Sequence, residues 1–159
     1  MNVLIACEES QTVCKAFRKR GHNAFSCDIQ TPSGGRPEWH VLGDATELLK
    51  EKDIEFVTMN GIKHIIPKWD LLIAHPPCTY LSNAGARHLW KGHKLNRERF
   101  ELGLEAKLFF LQFLNAPIKR ICVENPVPSK IYKLPKYTQT IQPYMFGHPY
   151  SKRTCLWLD

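Results

Sequence analysis

Short runs of consecutive apolar residues alternate along the chain with stretches whose apolar positions recur every three or four residues. Residues 3–7 (VLIAC) are such a run and predict a buried strand. Residues 11–20 follow with helical spacing, Val13, Cys14 and Phe17 sharing a face, and Gly21 is placed to close the helix. A second strand is expected at 24–27, ending at Asp28. The segment TPSGGRPE (31–38) reads as a loop, and a third short strand at 39–42 leads into Gly43-Asp44. Residues 45–52 predict a short helix, whereas 53–68 favour no single period. The clearest strand is 70–74, which stops at His75-Pro76-Pro77-Cys78. The clearest helix is 97–114, with Leu102, Ala106, Phe109, Phe110 and Phe113 on one stripe. A further buried strand, 120–124, runs into Asn125-Pro126. Residues 140–146 and 154–158, joined by GHPYSKR, predict a terminal antiparallel pair.

Alternating strands and helices predict an α/β domain with a mostly parallel sheet. In that arrangement Glu8, Asp28, Asp44, Cys78 and Glu124 all fall at or just past the C-terminal ends of strands, the edge where open α/β sheets bind ligands. The length, 159 residues, is that of one domain, and a 43% hydrophobic content excludes a disordered chain. No apolar run is long enough for a membrane span. The start MNVLIACEES has no basic region and meets acids early, so no secretory signal is expected and cytoplasmic residence is. None of the six cysteines stands in a CxxC pair, which points to reduced thiols rather than a disulfide framework or a zinc site. The net charge of +7 favours a polyanionic partner, with nucleic acid first among them.

The chemistry sharpens motif by motif. A carboxylate after the second strand, here Asp28, can accept hydrogen bonds from both hydroxyls of a ribose. Asp44, after the third strand, is placed to meet an adenine amino group. The first loop, CEESQ (7–11), has no glycine for a pyrophosphate to approach, and Glu8 and Glu9 would repel phosphate. A cofactor with a ribose, a cationic end and no phosphate fits, and S-adenosylmethionine has these features. In HPPC two prolines stiffen the chain ahead of Cys78, which suits a nucleophile. In VENP, Glu124 at the tip of an apolar strand can hold a proton for a ring nitrogen. Basic and aromatic residues follow each motif: Arg87, Trp90, Lys91 and Arg99 after the first, and Lys130, Lys133, Lys136, Tyr137, Tyr150 and Arg153 after the second. Such mixtures suit phosphates and stacked bases.

The segments IAHPPCTYLS and ICVENPVPS resemble the PPC and ENV motifs of the C5-cytosine DNA methyltransferases, in the same order, and LGDAT (42–46) is similar to the family motif that contacts adenine. The chain as a whole resembles small phage-encoded cytosine methyltransferase-like proteins. The resemblance implies a Rossmann-like, S-adenosylmethionine-dependent methyltransferase core with a mostly parallel sheet and a terminal antiparallel hairpin. It spans residues 1–159 as a single catalytic domain with no target-recognition domain. It further implies Cys78, Glu124 and Asn125 as catalytic residues, and Glu8, Asp28, Asp44 and Pro76 as cofactor-binding. Arg87 and Arg153 would contact a DNA substrate. In the implied reaction Cys78 attacks C6 of cytosine, Glu124 engages N3, and C5 takes a methyl group. The chain departs from the family at CEESQ, at Pro126 and in lacking a clear QxRxR. The same residues admit a silent nucleic-acid- or protein-binding module with a counter-defence role, or a pyrimidine hydroxymethylase. A cysteine phosphatase is disfavoured, because its phosphate-holding arginine would stand at position 84, which is Ala.

Overall fold

A computed structural model describes residues 1–159. Its centre is a seven-stranded sheet built from β1 (Asn2–Ala6), β2 (Asn23–Asp28), β3 (His40–Leu42), β6 (Leu71–Ala74), β9 (Ile121–Pro126), β10 (Gln139–Ile141) and β11 (Thr154–Leu158). Two small hairpins lie apart from it, β4 (Ile54–Val57) with β5 (Lys63–Ile66), and β7 (Trp90–Lys91) with β8 (Lys94–Leu95). The helices are α1 (Thr12–Lys19), α2 (Asn83–Ala86) and α3 (Arg97–Leu114). No helix is long and apolar enough to cross a membrane.

Across the sheet the order is β10-β11-β9-β6-β1-β2-β3. Strands β3, β2, β1, β6 and β9 run parallel, and β11 lies antiparallel between β9 and β10. The chain works outward from β1 to β3, then crosses back to β6 on the other side of β1. The order therefore reverses between β1 and β6, where strands of this kind leave a crevice beyond their C-terminal ends.

The two faces of the sheet are covered unequally. On one, Leu4, Ala6, Leu72, Ala74 and Val123 pack under α3 and the β4–β5 hairpin. On the other, Val3, Ile5 and Ala24 meet Cys14 of α1. The expected strands and the long helix are present with ends shifted by a residue or two. Three segments differ from expectation. Residues 45–52 make only a single 3-10 turn, Ala45–Leu48, because Asp44 caps it with a hydrogen bond to the Thr46 N–H and nothing propagates it. Residues 53–68, without a clear period, form the β4–β5 hairpin. Its alternation of buried Ile54 and Phe56 with exposed Glu55 and Val57 is that of a one-sided strand. Phe56 stacks on Trp69, whose indole N–H donates to the Leu48 carbonyl. The segment 140–146 divides into β10 and a 3-10 turn, Pro143–Phe146, since Pro143 cannot continue the ladder.

One close approach fixes the far side of the sheet. Tyr132 is buried against α3, stacked on Phe100, and its ring occupies the notch left by Gly103. A Cβ at position 103 would overlap that ring. Gly103→Ala is expected to lower the unfolding free energy by about 1–3 kcal/mol despite alanine's better helix propensity, as overpacking does. Urea denaturation checks this, and a stabilised variant would contradict it.

Candidate functional site

The parallel register builds the site. Ala6 lies opposite Cys27 and Ala74, and Ala74 lies opposite Val123. One residue further along each strand therefore come Asp28, Cys7, His75 and Glu124, side by side at the C-terminal edge. The ladder continues into this row, because the His75 N–H donates to the Ala6 carbonyl (3.0 Å) and the Gly43 N–H to the Asp28 carbonyl (2.9 Å).

A cavity of about 300 Å³ opens over Asp28, Cys7 and His75 of this row, with Glu9, Asp44 and Phe109 among its other lining residues. It carries three carboxylates and no lysine or arginine. Such a lining favours a cation and disfavours phosphate. Asp28 holds its own turn by accepting from the Gln30 N–H at 2.9 Å, and Asp44 accepts from both the N–H and the hydroxyl of Thr46. Each keeps a second carboxylate oxygen for other partners. No group of three or more His, Cys, Asp or Glu side chains is placed to hold a metal ion.

The loop that replaces a glycine-rich turn is held open by left-handed residues that are not glycine. Cys7 has φ 58° and Gln11 has φ 57°. The buried Gln11 side chain maintains this by pairing with both the N–H and the carbonyl of Arg36, and by reaching the Ser26 hydroxyl. Strain of this kind is kept where surrounding contacts over-determine it. Glu8, expected at the cofactor, is buried and faces α1. Its two oxygens accept from the Val13 and Cys14 N–H groups at 2.6 and 3.1 Å. It lines a smaller neighbouring cavity, about 260 Å³, which shares Cys7, Glu9 and His75 with the first. Glu9 lines the first cavity together with Asp28, and its carboxylate also accepts from the Ser33 N–H at 3.2 Å. A carboxylate ahead of a helix start can accept from the first helical N–H groups, but Glu8 and Glu9 both stand there, and only the fold separates them.

The two motif loops run together. The Asn83 N–H donates to the Val127 carbonyl (2.9 Å), the Ser129 N–H to the Leu81 carbonyl (2.7 Å), and Ser82 bridges Pro128. The half-buried Cys78 opens this loop and accepts, at its carbonyl, the Ser82 N–H. Arg99 of α3 clamps the same loop, donating to the Thr79 and Gly85 carbonyls with its guanidinium over the Tyr80 ring. Arg99 thus serves the loop rather than a surface patch.

Between the loops stands His75, which sequence reasoning passed over. Its Nδ1 lies 3.7 Å from the Glu124 carboxylate, and its buried Nε2 has no partner. It was legible as the first residue past the strongest strand. Phe109 was legible only as part of a helix stripe, and no signal marked it as a cavity wall. Asn125 is buried, pairs across the ladder with Cys155, and turns its amide to the Pro126 carbonyl, leaving its own Oδ1 unpartnered. Pro76 is buried, and its neighbour Pro77 lines the cavity. Arg87 is exposed beside His88. Arg153 is exposed one residue before Thr154, which pairs with Pro126, so it flanks the exit of β9.

Burial raises the other thiols. Cys7 and Cys27 are pushed up to about 12, first by burial and then by neighbouring charges that include Asp28 and Asp44. Cys14 rises to about 11 through burial and Glu8. Cys122 and Cys155 are raised chiefly by burial, with Glu124 adding to both.

No protein-family model matches the chain, and a search of curated proteins finds no match.

Thiols held that high stay protonated, and so unreactive, at neutral to mildly alkaline pH. Iodoacetamide at pH 8 is expected to alkylate Cys78 while Cys7, Cys14 and Cys27 remain unmodified in the folded protein. Peptide mass mapping checks this, and labelling of Cys7 as fast as Cys78 would contradict it.

Proposed function

We propose that the chain is a cytosine C5-methyltransferase that uses S-adenosylmethionine and a covalent cysteine adduct. The observation that carries the reading is the meeting of the PPC and ENP loops beside an acidic cavity at the sheet's reversal point. The reversed terminal strand between β9 and β10 suits the methyltransferase form of a Rossmann-like core.

The cavity supports the cofactor assignment through its chemistry. Among its lining residues Asp28 would accept from ribose hydroxyls, Asp44 from an adenine amino group, Glu9 would face a cationic end, and Phe109 would offer an aromatic face. When bound, S-adenosylmethionine supplies an electrophilic methyl group on a sulfonium. The chain's own residues prepare the acceptor. Cys78, as thiolate, forms a bond to C6 of the cytosine ring. Glu124 delivers a proton to N3, so the electron pair displaced from the ring has somewhere to go. C5 thereby becomes nucleophilic and would take the methyl group, the pair of the broken sulfur–methyl bond staying on sulfur as a neutral thioether. Solvent water then takes the C5 proton, the electron pair left behind breaks the C6–sulfur bond and restores the Cys78 thiolate, and N3 returns its proton to Glu124. His75 is a positioning residue, since its Nδ1 is the side-chain group that faces the Glu124 carboxylate. In duplex DNA the base must leave the stack before it can reach these groups.

Two variants separate cofactor from chemistry. Asp28→Ala is expected to weaken S-adenosylmethionine binding about 10–100-fold, the worth of charge-assisted hydrogen bonds. Cys78→Ser is expected to bind the cofactor normally while losing at least about 10³-fold in methyl transfer, because an alkoxide is not available at neutral pH. Calorimetry and transfer of a labelled methyl group to cytosine oligonucleotides check both. Turnover by Cys78→Ser would sink the covalent route, and an absence of cofactor binding by the unmutated protein would sink the assignment.

A further inference from the structure

A second cavity, about 600 Å³, lies away from the acidic one and has the opposite character. It follows the ENP motif, and Lys130, Lys133, Lys136, Tyr137, Asn83 and Val127 are among its lining residues. No carboxylate lines it. Asn83 and Val127 are the residues whose backbones join the two motif loops, so the cavity begins where the proposed reaction site ends. Its wall is fixed rather than loose. Tyr132 is seated in the Gly103 notch, the Trp157 indole N–H donates to the Pro135 carbonyl at 2.9 Å, and Tyr137 meets Trp157 edge-on. Arg153, exposed one residue before Thr154, which pairs with Pro126, is a further cation near the exit of β9.

We propose that this cavity is a groove for a single strand of nucleic acid, with Lys130, Lys133 and Lys136 holding consecutive backbone phosphates and Tyr137 stacking a base next to the one that reacts. The proposal deepens the methyltransferase reading and rests on it for the identity of the reacting base. Three lysines without a counter-charge attract a polyanion, and one unpaired strand, unlike a duplex, exposes base faces to an aromatic ring. The basic cavity at the opposite, N-terminal edge of the sheet provides the contrast. Lys52, Lys68, Lys119 and Arg120 line it, but Glu51 and Asp70 do too, so two of its four cations are offset by carboxylates, whereas none of the three lysines of the larger cavity is.

The test compares two triple variants that remove equal charge. Binding of a labelled, cytosine-containing single-stranded oligonucleotide is followed by fluorescence anisotropy over a range of salt, without cofactor. Lys130→Gln with Lys133→Gln and Lys136→Gln is expected to weaken binding at least about tenfold and to lower the salt slope by about 2, since each phosphate contact on a single strand contributes about 0.7. Lys52→Gln with Lys68→Gln and Lys119→Gln is expected to stay within about twofold of the unmutated protein. Equal losses from both triples would mean that net charge alone binds the strand, and would overturn the groove. Tighter binding of the matching duplex, or displacement of the oligonucleotide by equimolar deoxycytidine monophosphate, would overturn the single-strand occupant. Methyl transfer is measured separately on the same proteins with labelled S-adenosylmethionine added. Strand binding lost only in the first triple, with no methyl transferred by any protein, would uphold the groove and remove the activity. Methyl transfer equal in both triples would do the reverse.

Discussion

Ala74 pairs with Val123, and that register sets His75 beside Glu124 at the end of two parallel strands. Everything chemical in the molecule follows from this pairing. A slip of one residue would turn Glu124 into the buried face beneath α3, where a carboxylate has no partner. The loops that leave these strands are then bound to each other through backbone hydrogen bonds, which side-chain substitutions do not remove. The half-buried Cys78 and the carboxylate of Glu124 therefore come from separate stretches of sequence but from one rigid assembly. Arg99 adds a clamp from the long helix, tying the cysteine loop to the element that covers the core.

Charge is divided across this edge. The cavity over β1, β2 and β3 is acidic, and the cavity beyond β9 is basic. A ligand with a cationic end and a polyanionic strand would each be drawn to its own side of the reaction site and repelled from the other. The net charge of +7 hides this division, because the surplus of lysine and arginine is excluded from the lining of the acidic cavity. Burial also removes Cys7 from competition. It lies in the acidic cavity, yet desolvation and the nearby Asp28 and Asp44 hold its thiol at about 12.

Strands were legible wherever consecutive apolar residues had to be buried on both faces, as in 70–74, and the long helix wherever a wide aromatic stripe recurred. The β4–β5 hairpin was not, because its short strands bury only one face and interrupt their alternation at a turn centred on Asn60-Gly61. At the site, Asp28 and Asp44 were readable from their place after strands. Glu8 was read as a cofactor residue from its place after β1; that its oxygens also accept from the first N–H groups of α1 is not visible from position alone. His75 was hidden beside Pro76 and Pro77, whose stiffening drew attention to the cysteine that follows. The lysines of the basic cavity were visible as a run, but only the Tyr132–Gly103 notch and the Trp157–Pro135 hydrogen bond give that run a concave shape.

The central physical claim is that one thiol and one carboxyl act on the same heterocycle from two loops. Incubation with an oligonucleotide containing 5-fluorocytosine and with S-adenosylmethionine tests this most directly, because fluorine at C5 prevents the release step. Intact mass followed by peptide mapping should find the oligonucleotide covalently attached at Cys78, and Glu124→Gln should form the adduct at least about tenfold more slowly, the loss expected of a general acid. An adduct at another cysteine, or none while both ligands are bound, would contradict the account.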